Sequence, residues 1–208
     1  MSFNADLACF EAKELSLRRG RRSIWEEANW KIKGPTVILG SNGTGKSSTL
    51  AMLAGQLAPN SGVLTFSMGE NQISPDSWMT RVSLAAPWVE VPSHLTLSEA
   101  IAFHEAFRQP RQGELHWAEL LKRSGLDVGE SVPIRMWSSG QKQRLHLALA
   151  MGTASPVVLL DEPGSNLDQE GYQWMRSTMD AIVALSTVVV ATNDEKKEAP
   201  KGASFLRI

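Results

Sequence analysis

The sequence predicts an α/β fold built on a mainly parallel sheet covered on both faces. Three observations carry this. Short runs that are apolar at every position, TVIL (36–39), VVLL (157–160) and TVVVAT (187–192), read as strands buried from both sides. Stretches of helical period separate them. A glycine-rich segment, GSNGTGKSS, follows the first of these strands and opens a helix.

The elements follow in order. TVIL is bounded by Pro35 and Gly40. A helix is expected from about Lys46 to Leu57, stopped near Pro59 and Gly62. GVLTF (62–66) alternates like a strand, and RVSLAA (81–86) is a further candidate. Thr96 and Glu99 have the spacing of a capping box, ahead of a face shared by Leu97, Ala100, Ile101 and Phe107 and closed by Pro110. A second helix runs from about Glu114 to Gly125 and packs Trp117, Leu120 and Leu121. A third starts in WSSGQ (137–141), lines up Leu145, Ala148 and Leu149, and ends at Gly152. Met175, Met179 and Ile182 mark another after VVLL, and SFLRI (204–208) is a final strand. Residues from about 89 to 152 are mostly helical and read as a subdomain beside the sheet. No repeat or linker divides residues 1–208, so a single domain is expected.

Composition narrows the function classes. The formal net charge of −1 offers no basic field for nucleic acid and no polybasic tail for a membrane surface. Cys9 is the single cysteine, which excludes an internal disulfide and fits a reducing compartment. The N-terminal MSFNADLACFEAKELSL carries acids and lacks the layout of a secretory leader. No apolar stretch is long enough to span a bilayer, so a cytoplasmic location without direct membrane insertion is expected. Most of the seven tryptophans are expected to fill the core or an interface.

The chemistry begins at Gly40, Ser41, Asn42, Gly43, Thr44, Gly45, Lys46, Ser47 and Ser48, which match G-x-x-x-x-G-K-[ST]. The glycines let successive backbone N–H groups curl inward onto phosphate oxygens. Lys46 adds charge for the β- and γ-phosphates, Ser47 offers a hydroxyl to Mg²⁺, and the helix start adds its partial positive charge. The second signal is VVLLDEP (157–163), an apolar strand that ends in two carboxylates where ligands of open α/β sheets bind. Asp161 would hold Mg²⁺ through a water, and Glu162 would polarise an attacking water. The third is Ser138, Ser139 and Gly140, small residues at a helix start that can meet an anion closely; in isolation they would be an ordinary helix cap.

WSSGQKQR stands about twenty residues before VVLLDEP and about ninety after GSNGTGKSS. In that order the three resemble the motifs of ABC-type ATPases. The family's signature Leu-Ser-Gly-Gly-Gln appears as Trp137, Ser138, Ser139, Gly140 and Gln141, and SNLD (165–168) resembles its D-loop, with Asp168 in the Asp place. The resemblance runs from about residue 5 to the C-terminus. It implies a P-loop NTPase core with an N-terminal antiparallel β-subdomain and a helical subdomain. It also implies ATP and Mg²⁺ as ligands, and a homodimer or a pair with a related ATPase subunit. In that pair ATP is sandwiched between Gly40–Ser48 of one copy and the signature helix of the other. Loss of the γ-phosphate then releases the pair.

Four positions depart from the family pattern. Trp88 aligns where a Gln usually reaches Mg²⁺, and an indole has no lone pair for a metal; packing against a partner or the helical subdomain is its alternative role. Asn193 replaces the switch His and cannot carry an imidazolium charge, so hydrolysis is expected to be slow. The adenine-stacking aromatic is missing, leaving Arg18, Arg19 or Trp25 to stack on the base, or the arginines as plain surface residues. Ser139 replaces the first signature glycine.

The leading expectation is the ATP-binding subunit of an ABC transporter, peripheral on the cytoplasmic face of the membrane and working on a separate membrane-spanning subunit. Docking is expected around Trp88, Val89, Val91 and the helical segment after them, with His94 and Trp117 nearby. The chain ends about fifteen residues past Asn193, which leaves no room for a C-terminal sensor domain and points toward export; the short length is similar to that of haem-exporter ATPases. Two alternatives stay open: a soluble, non-transport ABC ATPase, and a nucleotide-gated binding module with little hydrolysis.

Overall fold

A computed structural model describes residues 8–208, with the side chains of 195 and 196 outside the description. The first seven residues, where the leader reading and the family resemblance begin, lie outside the described residues.

Two sheets form the frame. Strands β1 (Ala8–Arg19), β2 (Arg22–Lys33), β4 (Ser61–Met68) and β5 (Asn71–Gln72) make an antiparallel sheet in the order β2-β1-β4-β5. Strands β3 (Thr36–Leu39), β6 (Val82–Ala85), β7 (Val157–Asp161), β8 (Thr187–Thr192) and β9 (Ser204–Arg207) make a parallel sheet in the order β6-β7-β8-β3-β9. The helices are α1 (Lys46–Leu53), α2 (Trp78–Arg81), α3 (Leu97–Glu105), α4 (Trp117–Arg123), α5 (Ser139–Gly152), α6 (Gln169–Ile182) and α7 (Glu195–Glu198).

The two-sided apolar strands have the cause their sequence suggests. In β7 and β8, Val158, Leu160, Val188 and Val190 pack on one side with Leu145 and Ala148 of α5 and Met175 and Met179 of α6. Val157, Leu159, Val189 and Ala191 face the other way, onto Leu50 and Leu53 of α1 and Phe10 and Phe66 of the antiparallel sheet. A strand whose successive residues face two cores has no solvent side to alternate with. Five of the seven tryptophans, Trp25, Trp78, Trp117, Trp137 and Trp174, are buried.

Three boundaries differ from the sequence expectation. α1 stops at Leu53, not Leu57. Gly55 takes a φ of +76°, its N–H donates to Met52 O and the Gln56 N–H donates to Ala51 O, so a left-handed glycine closes the helix there. α3 has its capping box but ends at Glu105, so Phe107 lies past the helix and is 73% exposed instead of sharing the buried face. α4 begins only at Trp117, after a 3₁₀ turn over Gly113–Leu115.

Candidate functional site

The loop between β3 and α1 is shaped by its glycines. Gly45 caps α1 with φ +114°, and a Cβ there would lie 2.6 Å from Ile24. The Lys46 ammonium, with 5% of its side chain exposed, donates to Gly40 O at 2.9 Å and Ser41 O at 3.2 Å and stands 3.7 Å from Glu162 Oε1. Trp25 Nε1 donates to Thr49 Oγ1 at 3.0 Å from beneath the helix. Arg22, the first residue of β2, donates to Gly43 O.

The carboxyl end of β7 meets this loop. Ser47 Oγ donates to Asp161 Oδ2 at 2.7 Å, while Asp161 Oδ1 is buried without a partner. Burial pushes the Asp161 carboxyl above its ordinary range and Glu162 adds to that; the Ser47 hydrogen bond and Lys46 pull the other way. Glu162 holds φ +45°, a costly conformation for a side-chain-bearing residue, fixed by its N–H on Ala191 O at 2.8 Å. At the end of β8, Asn193 Nδ2 donates to Asn42 Oδ1 at 3.2 Å, which brings Asn193 onto the glycine loop.

The start of α5 is a separate surface. Ser138 caps it: Ser138 Oγ accepts from Gln141 N at 3.2 Å and Gln141 Oε1 accepts from Ser138 N at 2.9 Å. Ser138 Oγ uses a lone pair there, so its proton is available to an anion. Ser139 is exposed. A Cβ on Gly140 would sit 2.8 Å from Asn166 O, so the segment 163–168 packs directly on the helix tip. Gln143 Nε2 donates to Pro163 O at 3.1 Å, and Arg144 pairs with Asp168 at 2.6 Å. Asp168 also caps α6 by accepting from Gly171 N at 2.8 Å; that bond first, then Arg144, holds its carboxyl below the ordinary range. Among the described residues no hydrogen bond joins Ser138–Gln141 to Gly40–Ser48.

The sequence pattern of the ABC transporter family matches residues 29–165. The chain belongs to the ABC transporter family. It is an ABC-type ATPase, the ATP-binding subunit that drives a separate membrane-spanning partner. It is 30% identical over 203 residues to the cytochrome c biogenesis ATP-binding export protein CcmA of Paramagnetospirillum magneticum, covering 96% of this chain and 93% of that one. It is 28% identical over 174 residues to the daunorubicin/doxorubicin resistance ATP-binding protein DrrA of Streptomyces peucetius, covering 82% of this chain and 52% of that one. In fold it is similar to a dimeric ATP-binding cassette in a post-hydrolysis state with ADP and Pi (TM-score 0.75, 21% identity, 95% of this chain and 94% of that one).

Against the ABC pattern the departures acquire positions. Trp25 is buried against Trp30 and bonded to Thr49, so it is withdrawn from any base; Arg18 and Arg19 remain exposed. Trp88 is 40% exposed and donates to Gln56 Oε1 at 3.3 Å, which attaches it to the turn after α1 and not to the helical segment. Trp117 is fully buried in the core and cannot touch a partner, whereas His94 is exposed. Trp137, in the signature Leu place, is buried with Nε1 donating to Val132 O at 3.1 Å. Arg22 was not anticipated; an arginine at the start of a strand gives no sign of which distant loop it will reach. Among the described residues no helix is long and apolar enough to cross a membrane.

Proposed function

We propose that the whole chain is one nucleotide-binding domain, with a helical subdomain over about 89–152, that hydrolyses ATP slowly in a head-to-tail pair. Gly40 to Ser48 cradle the triphosphate, with Lys46 releasing the loop carbonyls for phosphate oxygens. Ser138, Ser139, Gly140 and Gln141 of the second copy, together with its Asp168, complete the site from across the pair. Ser47 and Asp161 fit Mg²⁺: a hydroxyl and a carboxylate meet, and the carboxylate keeps one buried oxygen unpartnered. When bound, the ion neutralises charge on the phosphate oxygens. Glu162 orients and polarises the attacking water. Asn193 contacts the γ-phosphate as a neutral donor, and the absence of imidazolium charge there is the reason for slow turnover.

The observation that carries this reading is the convergence of Lys46, Asp161, Glu162 and Asn193, drawn from the ends of three parallel strands, on one glycine loop. The membrane partner docks at a groove of about 250 Å³ between β6 and the helical subdomain, lined by Val89, Val91, Phe103, His104 and His146. Exposed Met79, Phe103 and Phe107 rim or adjoin it, with the two phenyl rings edge-on at 5.5 Å. A partner docked there would hold the protein peripherally on the cytoplasmic face of the membrane. The relative CcmA is an ATP-binding export protein, which favours export. Capture from a solubilised membrane extract tests the reading: wild type should retain a membrane-spanning protein that Phe103→Ser/Phe107→Ser loses. Retention of soluble proteins alone would contradict it and favour a non-transport ATPase.

A further inference from the structure

Glu198, on the short helix α7, lies outside every motif, yet it is 8% exposed. Its Oε1 accepts the Gly164 N–H at 2.7 Å, two residues beyond Glu162. A Cβ on Gly164 would stand 2.4 Å from that oxygen, so only a glycine admits the carboxylate so close. The Glu198 N–H donates to Asp194 O at 3.1 Å, and the Thr192 side chain, on the residue before Asn193, helps hold the carboxylate in its charged form. Thr192 Oγ1 in turn accepts the Asp194 N–H at 3.0 Å, on the other side of Asn193. Glu198 therefore joins the turn after Glu162, through its buried carboxylate, to the loop that carries Asn193, through its backbone and the neighbouring Thr192.

The carboxylate is itself held in place. Tyr172 OH donates to Lys197 O, and Arg176 Nη1 donates to Lys197 O at 3.2 Å and Ala199 O at 2.5 Å, which fastens α7 to α6. Burial pushes the Glu198 carboxyl up, and Glu162 and Asp194 add like charge nearby; the Thr192 side chain and the Gly164 N–H pull the other way. An acid kept at so unfavourable a position, and spent on two catalytic-loop contacts, serves geometry more than stability.

We propose that Glu198 is a positioning residue for hydrolysis, a clamp that holds the Glu162 turn and the Asn193 loop in one register over the phosphate loop. This rests on the ATP-hydrolysis reading. Both loops reach the same target: Glu162 stands 3.7 Å from Lys46, and Asn193 bonds Asn42 at 3.2 Å. Without the clamp each loop can shift independently, and small misplacements of groups about the reacting phosphate cost rate more than binding.

The test uses Glu198→Leu and Glu198→Gln in the full chain. Gln keeps an oxygen for the Gly164 N–H and an amide donor for Thr192 Oγ1; Leu keeps neither. Turnover per nucleotide-binding site should fall about tenfold or more in Glu198→Leu, with Mg-ATP affinity within about twofold of wild type, and Glu198→Gln should restore most of it. Amide exchange at Gly164, read on the nucleotide-free protein, should quicken in Glu198→Leu and not in Glu198→Gln. Wild-type turnover in Glu198→Leu, unchanged Gly164 exchange, or a Gln variant no better than Leu would each overturn the inference. A wild-type chain that binds no nucleotide overturns the hydrolysis reading and the proposal with it; the exchange result, which needs no nucleotide, shows separately whether the clamp exists.

Discussion

Gly140→Ala separates the helix tip's structural role from its role between subunits. The added Cβ would lie 2.8 Å from Asn166 O, against an ordinary carbon–oxygen contact of about 3.3 Å or more, so one side must move by about 0.5 Å. Asn166 already holds φ +62° and has little freedom to yield. Overpacking of this size costs about 1–3 kcal/mol, and the better helix propensity of Ala returns up to about 1 kcal/mol. The net loss of about 1–2 kcal/mol corresponds to a Tm lower by roughly 2–8 °C in a chain of this length. Gly40–Ser48 make no hydrogen bond to the tip within the chain, so ATP binding to the monomer should be unaffected. In the proposed head-to-tail pair the displaced tip meets the other copy's phosphates, so pairing should weaken about tenfold or more. Thermal melting, nucleotide titration of the monomer, and sizing with ATP in a Glu162→Gln background read the three effects. If monomer affinity fell as far as pairing, the tip would belong to its own chain's phosphate site and the reasoning would fail; unchanged melting would refute the steric part.

Two further outcomes follow from single side chains. Asn193→His should raise turnover by about tenfold, because an imidazolium adds charge beside the γ-phosphate; equal steady-state rates would contradict this. His104 has its pKa lowered to about 4, by burial and then by Arg108, with Nε2 beside Thr153 Oγ1 at 3.0 Å. The folded state binds that proton less tightly than the unfolded state, so His104 is without cost above pH about 6.5 and destabilises as pH falls from there toward 4. At pH 5 this amounts to about 1 kcal/mol after reduction for its partial exposure. Urea unfolding at pH 7 and pH 5 should therefore show a smaller acid loss in His104→Gln than in wild type, and parallel losses would count against it.

The parts legible in the sequence are those fixed by local chemistry. β7 and β8 are apolar at every position because two cores flank them, and the loop at Gly45 needs a backbone only glycine adopts readily. Ser138 and Thr96 announce their helices because their caps close within three residues. The pair β1–β2 has no such signal, and only the family resemblance anticipated it. Its alternation is broken at Glu14 and Glu27, both at positive φ, with N–H groups taken by Asn29 and Ser16 side chains. Arg22 and Glu198 were hidden for a related reason. Their roles depend on loops 21 and 34 residues away, and a charged residue does not reveal in sequence which distant amide or carbonyl it will meet.

The central claim is that ATP joins two copies, gripped by the lysine loop of one and the serine-tipped helix of the other. Light scattering of Glu162→Gln with and without Mg-ATP tests it most directly. The account predicts a monomer that becomes a dimer with nucleotide trapped in it, and a return to monomer when Lys46→Ala is added. A protein that binds ATP yet stays monomeric at every concentration, or a dimer indifferent to ATP, would contradict it.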